Sequence, residues 1–480
     1  MRSNIHLIYI FILWFSACLS LNAYPIPFQE IILFIKNPDN FTDNTNTALF
    51  FGNLSNPIYK KISWFVSYLR SHFFSALLPL TIVIILLNWK KLVINTFITI
   101  YIIYFILQLL GTITTTENGF SFQRHFLLIN AIHIIFFAYT ITIFNLEKYL
   151  KIFFIISLAA LGAIVFVHLY FLTLDYFNRT NFYLYNNDLW SKLIFNNSFI
   201  RVSGLSRSLT LIFIVLFFLY HKNNLSFYLK ILVGLSLLIL MFFIWWLQSR
   251  TSIFIAPLIF LIMYVILLTK KKYKFSITKS IFLFSLFALL SFNIPNYLYA
   301  LKSNTLQNLK SNTFTLQNND LGNIEKNRLT IKNNISSGRF DIWQLMIEAY
   351  DKKKVFGYGT QGDRFYLGIY INEKIGNLEY DTQHYYNNSS NAFLHALITG
   401  GYFGFFVFIL LNIYILKKIY FLLIKKNKYK NFVITSSSIA ILFFLMIRSL
   451  VENTYAVFSV DMIFFVICSL IVIFETKKKI

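Results

Sequence analysis

Eleven arginines punctuate this chain of 480 residues, and their placement is the first sign of chemistry. A guanidinium is planar, keeps its proton, and grips phosphate or carboxylate through two parallel hydrogen bonds. Arg207, Arg250 and Arg448 stand at the edges of long apolar runs with almost no acidic neighbours, and Arg201 and Arg339 lie in polar stretches nearby. Glu452 is the exception, four residues after Arg448 and so on the same helical face. Such cations either snorkel to lipid headgroups, pair with acidic residues such as Asp341 and Asp363, or converge on a phosphate. A reaction there also needs a general base. The candidates are Glu452, His384, His395 and Asp341, with His125 less well placed. Two of these have a structural alternative: His395 satisfied inside a helix bundle, Glu452 in a plain ion pair with Arg448. Asp461, the one carboxylate well inside an apolar run, calls for a partner within the bundle.

The elements that position these residues are apolar spans. The chain is 57% hydrophobic and 13% charged, against about 25% charged in a soluble domain, so it cannot clothe a water-facing fold. Twelve segments read as spans, near 5–21, 73–88, 92–110, 126–144, 152–172, 208–220, 231–247, 253–268, 279–294, 393–416, 433–447 and 455–474. This predicts an all-α polytopic membrane protein. The first segment has a second reading as a cleaved signal peptide, because Arg2 precedes it. With both termini inside, the short inner connections and the tail carry the lysines, as the positive-inside rule asks. Twenty of 32 lysines then face inward and ten of eleven arginines outward. The charge of +24 thus splits into lysines that orient the spans and arginines gathered on the outer side. Spans interrupt the basic residues everywhere, which excludes a nucleic-acid groove. Cys18 and Cys468 both lie in apolar runs, so neither a disulfide framework nor a metal site is expected.

The predicted organisation is nine spans over 1–294, an outer loop domain over 295–392 and three spans over 393–480. A connection that long implies structure of its own. Within it Phe340, Trp343, Ile347 and Tyr350 follow helical spacing and predict an amphipathic helix over 337–350. Gly357-Tyr358-Gly359-Thr360-Gln361-Gly362 fits the pattern of a dinucleotide-binding turn, but that reading requires a strand–helix–strand context that an outer loop lacks. These glycines fit tight backbone turns instead.

Four pieces resemble the O-antigen polymerase and O-antigen ligase superfamily, integral-membrane glycosyltransferases of the C-type architecture that use undecaprenyl-diphosphate-linked glycans. They are Arg201-Val202-Ser203-Gly204, then Gln248-Ser249-Arg250-Thr251, then Ser337-Gly338-Arg339 through Trp343 to Phe356-Gly357-Tyr358-Gly359, and last Ser390-Asn391-Ala392-Phe393-Leu394 with Gly400, Gly401 and Gly404. The resemblance covers about residues 200–455. It implies a multi-pass protein of the bacterial inner membrane with the large loop in the periplasm, and no cofactor. It further implies a lipid-linked donor and acceptor, with a chain-length regulator and a flippase as pathway partners. The arginines, with Gly357, Gly359, Ser390 and Asn391, would then hold the diphosphate-linked substrate. Ligases of this family carry a His-Asn pair where this chain has Ser390-Asn391. That difference favours a polymerase over a ligase, and leaves His384 and His395 as the histidines able to act in its place. A flippase or other transporter is the reading from a different class. It fits poorly, because transporters put ionisable groups at the membrane midplane and these spans hold few beyond His133, His168 and Asp461.

Overall fold

The computed structural model describes residues 95–114, 146–177, 202–222, 225–247, 249–271, 339–350, 355–360, 362–363, 389–425, 429–457 and 459–477, with scattered positions in 82–86 and 282–294. All regular structure among them is helical. The helices are α1 Thr96–Thr114, α2 Leu146–Phe177, α3 Val202–Tyr220, α4 Phe227–Trp246, α5 Arg250–Lys271, α6 Arg339–Tyr350, α7 Ala392–Lys425, α8 Phe432–Arg448 and α9 Val460–Lys477. The expected segments near 5–21, 73–88, 126–144 and 279–294 fall wholly or mostly outside the described residues, and the other eight coincide with helices. Thr96–Thr114, Phe227–Trp245 and Ala392–Ile424 are long and apolar enough to cross a membrane.

Helix α9 is the axis of the bundle. Its residues from Val460 to Ile473 are buried on every side, as expected of a helix that is apolar all round. α8 packs against it and against α3 and α5, while α7 and α2 cover its other flanks. Ser436, Ser437 and Ser438 are buried on α8, and such small side chains let helix backbones approach closely. α4 lies at the periphery against α3, with Leu232, Leu235, Leu238 and Ile239 exposed. In a membrane protein such a face meets lipid.

α9 starts later than its apolar run. Thr454–Ala456 form a 3₁₀ turn, and the Ser459 hydroxyl donates to the Thr454 carbonyl at 3.0 Å while accepting from the Met462 N–H at 3.3 Å. A serine at that position caps the helix start. Tyr455 stacks on Phe465, and its carbonyl accepts the Tyr101 hydroxyl of α1 at 2.8 Å.

α7 is 34 residues long, about 51 Å at 1.5 Å per residue, and far exceeds a hydrocarbon core of about 30 Å. The excess is resolved by a break at Gly401 (φ 67°, ψ −166°). A short piece, 392–400, precedes the break and a longer apolar piece follows it. The segment Val355–Asp363 docks at the break. The Tyr358 N–H donates to the Ile398 carbonyl at 2.8 Å and the Gly359 N–H to the Thr399 carbonyl at 2.9 Å, so carbonyls freed from the helix find partners. Gly357 (φ 67°) and Gly359 (φ 83°) provide the backbone that this docking needs.

Helix α6 forms where the sequence predicts it, with its buried face turned from the expected one. Trp343, Met346 and Tyr350 pack on Tyr358, Leu394 and Ile398, whereas Phe340 and Ile347 are 65% and 54% exposed. The spacing rule found the helix, and Met346 rather than Ile347 fits the gap over α7.

Candidate functional site

One end of the bundle gathers the polar groups. The start of α3 supplies Arg207 and the start of α9 supplies Asp461, which meet in a buried salt bridge at 3.0 Å. The end of α8 supplies Arg448, whose Nη2 lies 3.9 Å from Glu452 Oε1. Asp461 thus has the bundle partner that its position calls for, and the Arg448–Glu452 spacing yields the expected pair. The Ala392 N–H at the start of α7 donates to the Ser449 carbonyl at 2.8 Å, which joins α7 to the end of α8. At the opposite end, the Lys430 N–H donates to the buried Glu475 carboxylate at 2.8 Å.

At this polar end two other chain segments, the start of α7 and the turn after α8, converge on Asp363. Its Oδ2 lies 3.0 Å from His395 Nδ1. The same oxygen accepts the Ser389 N–H at 3.2 Å and lies 2.8 Å from the Ser389 hydroxyl. Asn453 Nδ2 reaches it at 3.4 Å. Asp363, His395 and Ser389 are all buried. Burial raises the carboxyl pKa, but the charge of the imidazole and the bonds from His395 and Ser389 outweigh it and hold Asp363 at about 2. The carboxylate is therefore ionised at any working pH. His395 Nε2, also buried, has no hydrogen-bond partner among the described residues.

The supports around this pair explain the local sequence. Asn391 Oδ1 accepts the N–H groups of Phe393 and Leu394 at 2.9 and 3.0 Å, which makes Asn391 the N-cap of α7. Its Nδ2 donates to the Leu450 carbonyl at 3.0 Å, and its N–H to Asn453 Oδ1 at 2.9 Å. The Trp343 indole N–H donates to the Ser389 carbonyl at 2.7 Å, tying α6 to the cluster. The two non-glycine residues with positive φ among the described residues are Ser390 (44°) and Thr454 (30°), which directly adjoin Ser389 and Asn453. Backbone strain of this kind persists only where surrounding structure enforces it, and it concentrates at functional sites.

Of the residues singled out from sequence, Arg207, Arg448, Glu452, Ser390, Asn391 and His395 sit at this end. Gly357 and Gly359 line the docked segment, where the N–H groups of Tyr358, Gly359, Thr360 and Gly362 are all donated within the fold. Arg250 and Arg339 begin α5 and α6, and Asp341 lies in the first turn of α6. Arg201 and His384 fall outside the described residues. Asp363 and Asn453 are the residues that sequence reasoning missed as site residues. Asp363 stood there only as one of several loop carboxylates able to pair with arginine, and its partner is a histidine 32 residues on. Among the described residues no three metal-ligating side chains come together.

No curated protein and no solved structure matches the chain. A family model does: residues 235–409 match the one described as O-Antigen ligase. That interval holds Arg250, Arg339, the docked Gly357–Gly359 turn, Asp363, the capped start of α7 and His395, while Arg207, Arg448, Glu452 and Asn453 reach the site from outside it. Over this segment, which is just over a third of the chain, the protein is similar to the O-antigen ligase family.

Proposed function

We propose that the protein is a surface-polysaccharide polymerase. It joins oligosaccharide repeats carried on undecaprenyl diphosphate, on the periplasmic face of the bacterial inner membrane, with both of its own termini in the cytoplasm. The observation that carries this reading is the family match over 235–409 together with the gathering of Arg207, Arg448, Asp363 and His395 at one end of the bundle. Nucleotide sugars are absent outside the cytoplasmic membrane, so a donor there brings its activation as a lipid diphosphate. A hydroxyl of the acceptor glycan attacks the donor's anomeric carbon, the carbon–oxygen bond to phosphate breaks, and the electron pair leaves with the diphosphate. Guanidinium groups fixed near that oxygen stabilise the developing charge. Arg201, Arg207, Arg250, Arg339 and Arg448 are assigned this role. Removing one such contact costs about 3 kcal/mol, on the order of a hundredfold in rate.

A second reading, transfer of finished glycan to lipid A core or to protein, is favoured by the family's description as a ligase. It is opposed by Ser390, which stands where ligases of the family carry histidine. The lipid bilayer surrounds the protein, and the chain-length regulator and flippase of the same pathway are its expected protein partners. The test is Arg250→Ala and Arg339→Ala in the native host, with surface polysaccharide resolved on a gel. A polymerase defect leaves single repeats on the lipid core, and a ligase defect leaves polymer on its carrier. An unchanged ladder in both variants refutes the assignment.

A further inference from the structure

We propose that Asp363 is the positioning residue of a His–Asp pair in which His395 Nε2 accepts the proton of the attacking glycan hydroxyl. The inference rests on the polymerase reading above and adds to it the identity of the base and of the group that orients it.

The argument is one of hydrogen-bond roles. An ionised carboxylate only accepts, and Asp363 Oδ2 lies 3.0 Å from His395 Nδ1. Nδ1 therefore carries the ring proton, and the Asn453 amide nitrogen, 3.5 Å from the same ring nitrogen, directs its hydrogen to the carboxylate at 3.4 Å instead. In a neutral imidazole the lone pair then sits on Nε2. That atom is buried and has no partner among the described residues. A buried acceptor left unmet is costly, so its persistence is best explained by a donor that arrives with substrate. A glycan hydroxyl is a donor of the right chemistry. Glu452, another candidate at this end, is paired with Arg448 at 3.9 Å, whereas the His395 lone pair is uncommitted.

The fold builds this pair in steps. Asn391 caps α7 and fixes its first turn, which sets the direction of His395. The Thr399 hydroxyl bonds back to the His395 carbonyl at 2.7 Å. The break at Gly401 frees the Ile398 and Thr399 carbonyls, the docked segment takes them, and that docking brings Asp363 to the ring. Ser389 and Asn453 then hold the carboxylate from its other side.

Proton and electron balance follows directly. As the hydroxyl oxygen bonds to the anomeric carbon, its proton passes to Nε2. The glycosyl–phosphate bond breaks, with its electron pair on the departing lipid diphosphate. The imidazolium so formed faces the Asp363 carboxylate until it returns the proton to the diphosphate or to solvent. Asp363 stays ionised throughout and touches no substrate.

The experiment uses the full-length protein in lipid nanodiscs with a synthetic lipid-diphosphate-linked repeat unit, comparing wild type with Asp363→Asn. The amide keeps the size of the side chain but donates a hydrogen to Nδ1, which moves the ring proton to Nε2 and removes the base. We expect kcat to fall by about a hundredfold to ten-thousandfold with KM little changed, and ¹⁵N-histidine spectra to show the His395 tautomer reversed. Wild-type kcat in Asp363→Asn overturns the proposal. So does an equal loss of kcat and of folded protein with the tautomer unmoved, which marks Asp363 as a staple alone. If Arg250→Ala and Arg339→Ala abolish polymer while Asp363→Asn does not, only the role of the His–Asp pair fails. If the arginine variants also leave the ladder intact, the polymerase reading fails with it.

Discussion

Gly400 and Gly401 are adjacent, look alike in sequence, and should respond to alanine in opposite ways. Gly401 has φ 67° and ψ −166°, a region of backbone space that is essentially glycine-only and costs other residues about 1–3 kcal/mol. A methyl group there would also overlap the Val355 carbonyl, with the Phe356 nitrogen just behind it. The segment Val355–Asp363 must move to make room. Its bonds from Tyr358 and Gly359 to the broken helix then weaken or open, at about 1 kcal/mol each. The sum is about 3–5 kcal/mol against the docked segment, a roughly hundredfold to few-thousandfold loss in the docked fraction.

Gly400, by contrast, is helical, and the nearest atom to an added methyl is Gln108 Cγ at 3.9 Å, an ordinary contact. Alanine there should be neutral or stabilising by up to about 1 kcal/mol, because glycine is the poorer helix former. The assay is limited proteolysis of the detergent-solubilised protein with cleavage sites mapped by mass spectrometry, alongside the apparent melting temperature. Gly401→Ala should open new cleavage within 351–363, lower the melting temperature and lose polymerisation. Gly400→Ala should do none of these. Two variants that behave alike, or a protected segment in Gly401→Ala, would refute the docking argument.

The buried salt bridge gives a second prediction. Asp461→Asn removes the carboxylate 3.0 Å from Arg207 and should cost about 3–5 kcal/mol, read as a lower apparent melting temperature. The double change Arg207→Met with Asp461→Leu should recover most of that stability, and it should still fail to make polymer if Arg207 serves the diphosphate. Asn391→Ala deletes the cap of α7 and should cost about 1 kcal/mol, whereas Asn391→Asp keeps the cap but sets a carboxylate oxygen against the Leu450 carbonyl and should recover only part of that loss, as melting curves of both will tell. Acid stability supplies the last. Asp363 is held at about 2 in the fold against 3.8 for the free side chain. Its stabilisation is therefore complete above about pH 4 and is lost as pH falls through 2. A melting series between pH 5 and pH 2 should be steeper in wild type than in Asp363→Asn, and equal slopes would contradict the pairing.

The long apolar runs were legible because membrane burial leaves a one-dimensional mark. α1, α4, α5 and α8 stand within a few residues of where hydropathy puts them, whereas α3 starts six residues earlier and α7 ends nine residues later. The ion pair of Arg448 and Glu452 was legible for the same reason, since both lie on one turn of chain. The phase of α6 was not. Phe340, Met346 and Ile347 are all apolar, and only the shape of the α7 surface decides which of them it buries. Asp363 was not legible either. A carboxylate in a polar loop of a chain with many arginines has arginine as its default partner, and only the docking of 355–363 on a helix break selects His395 instead. Sequence offered one hint, the glycines at 357, 359 and 401, whose positive φ values make the close approach possible.

The break in α7 therefore does more than shorten an overlong helix. A continuous helix would keep the Ile398 and Thr399 carbonyls for its own amides and offer the loop no backbone to bind. The aspartate would then have no fixed position beside the ring. Breaking the helix one and a half turns after His395 places two acceptors where the Gly357–Gly359 turn can reach them, and Asp363 follows four residues behind. The same step accounts for Ser390. The residue ahead of the cap carries a strained φ of 44° at the margin of the cluster, while position 395 lies on the rigid first turn, where a side chain is held by helix geometry and a loop carboxylate together. A base in this chain is better served at 395 than at 390. Ser390→His with His395→Gln tests that directly: if the orienting carboxylate matters as argued, a histidine at 390 will not restore polymer, because Asp363 is bound to the other position.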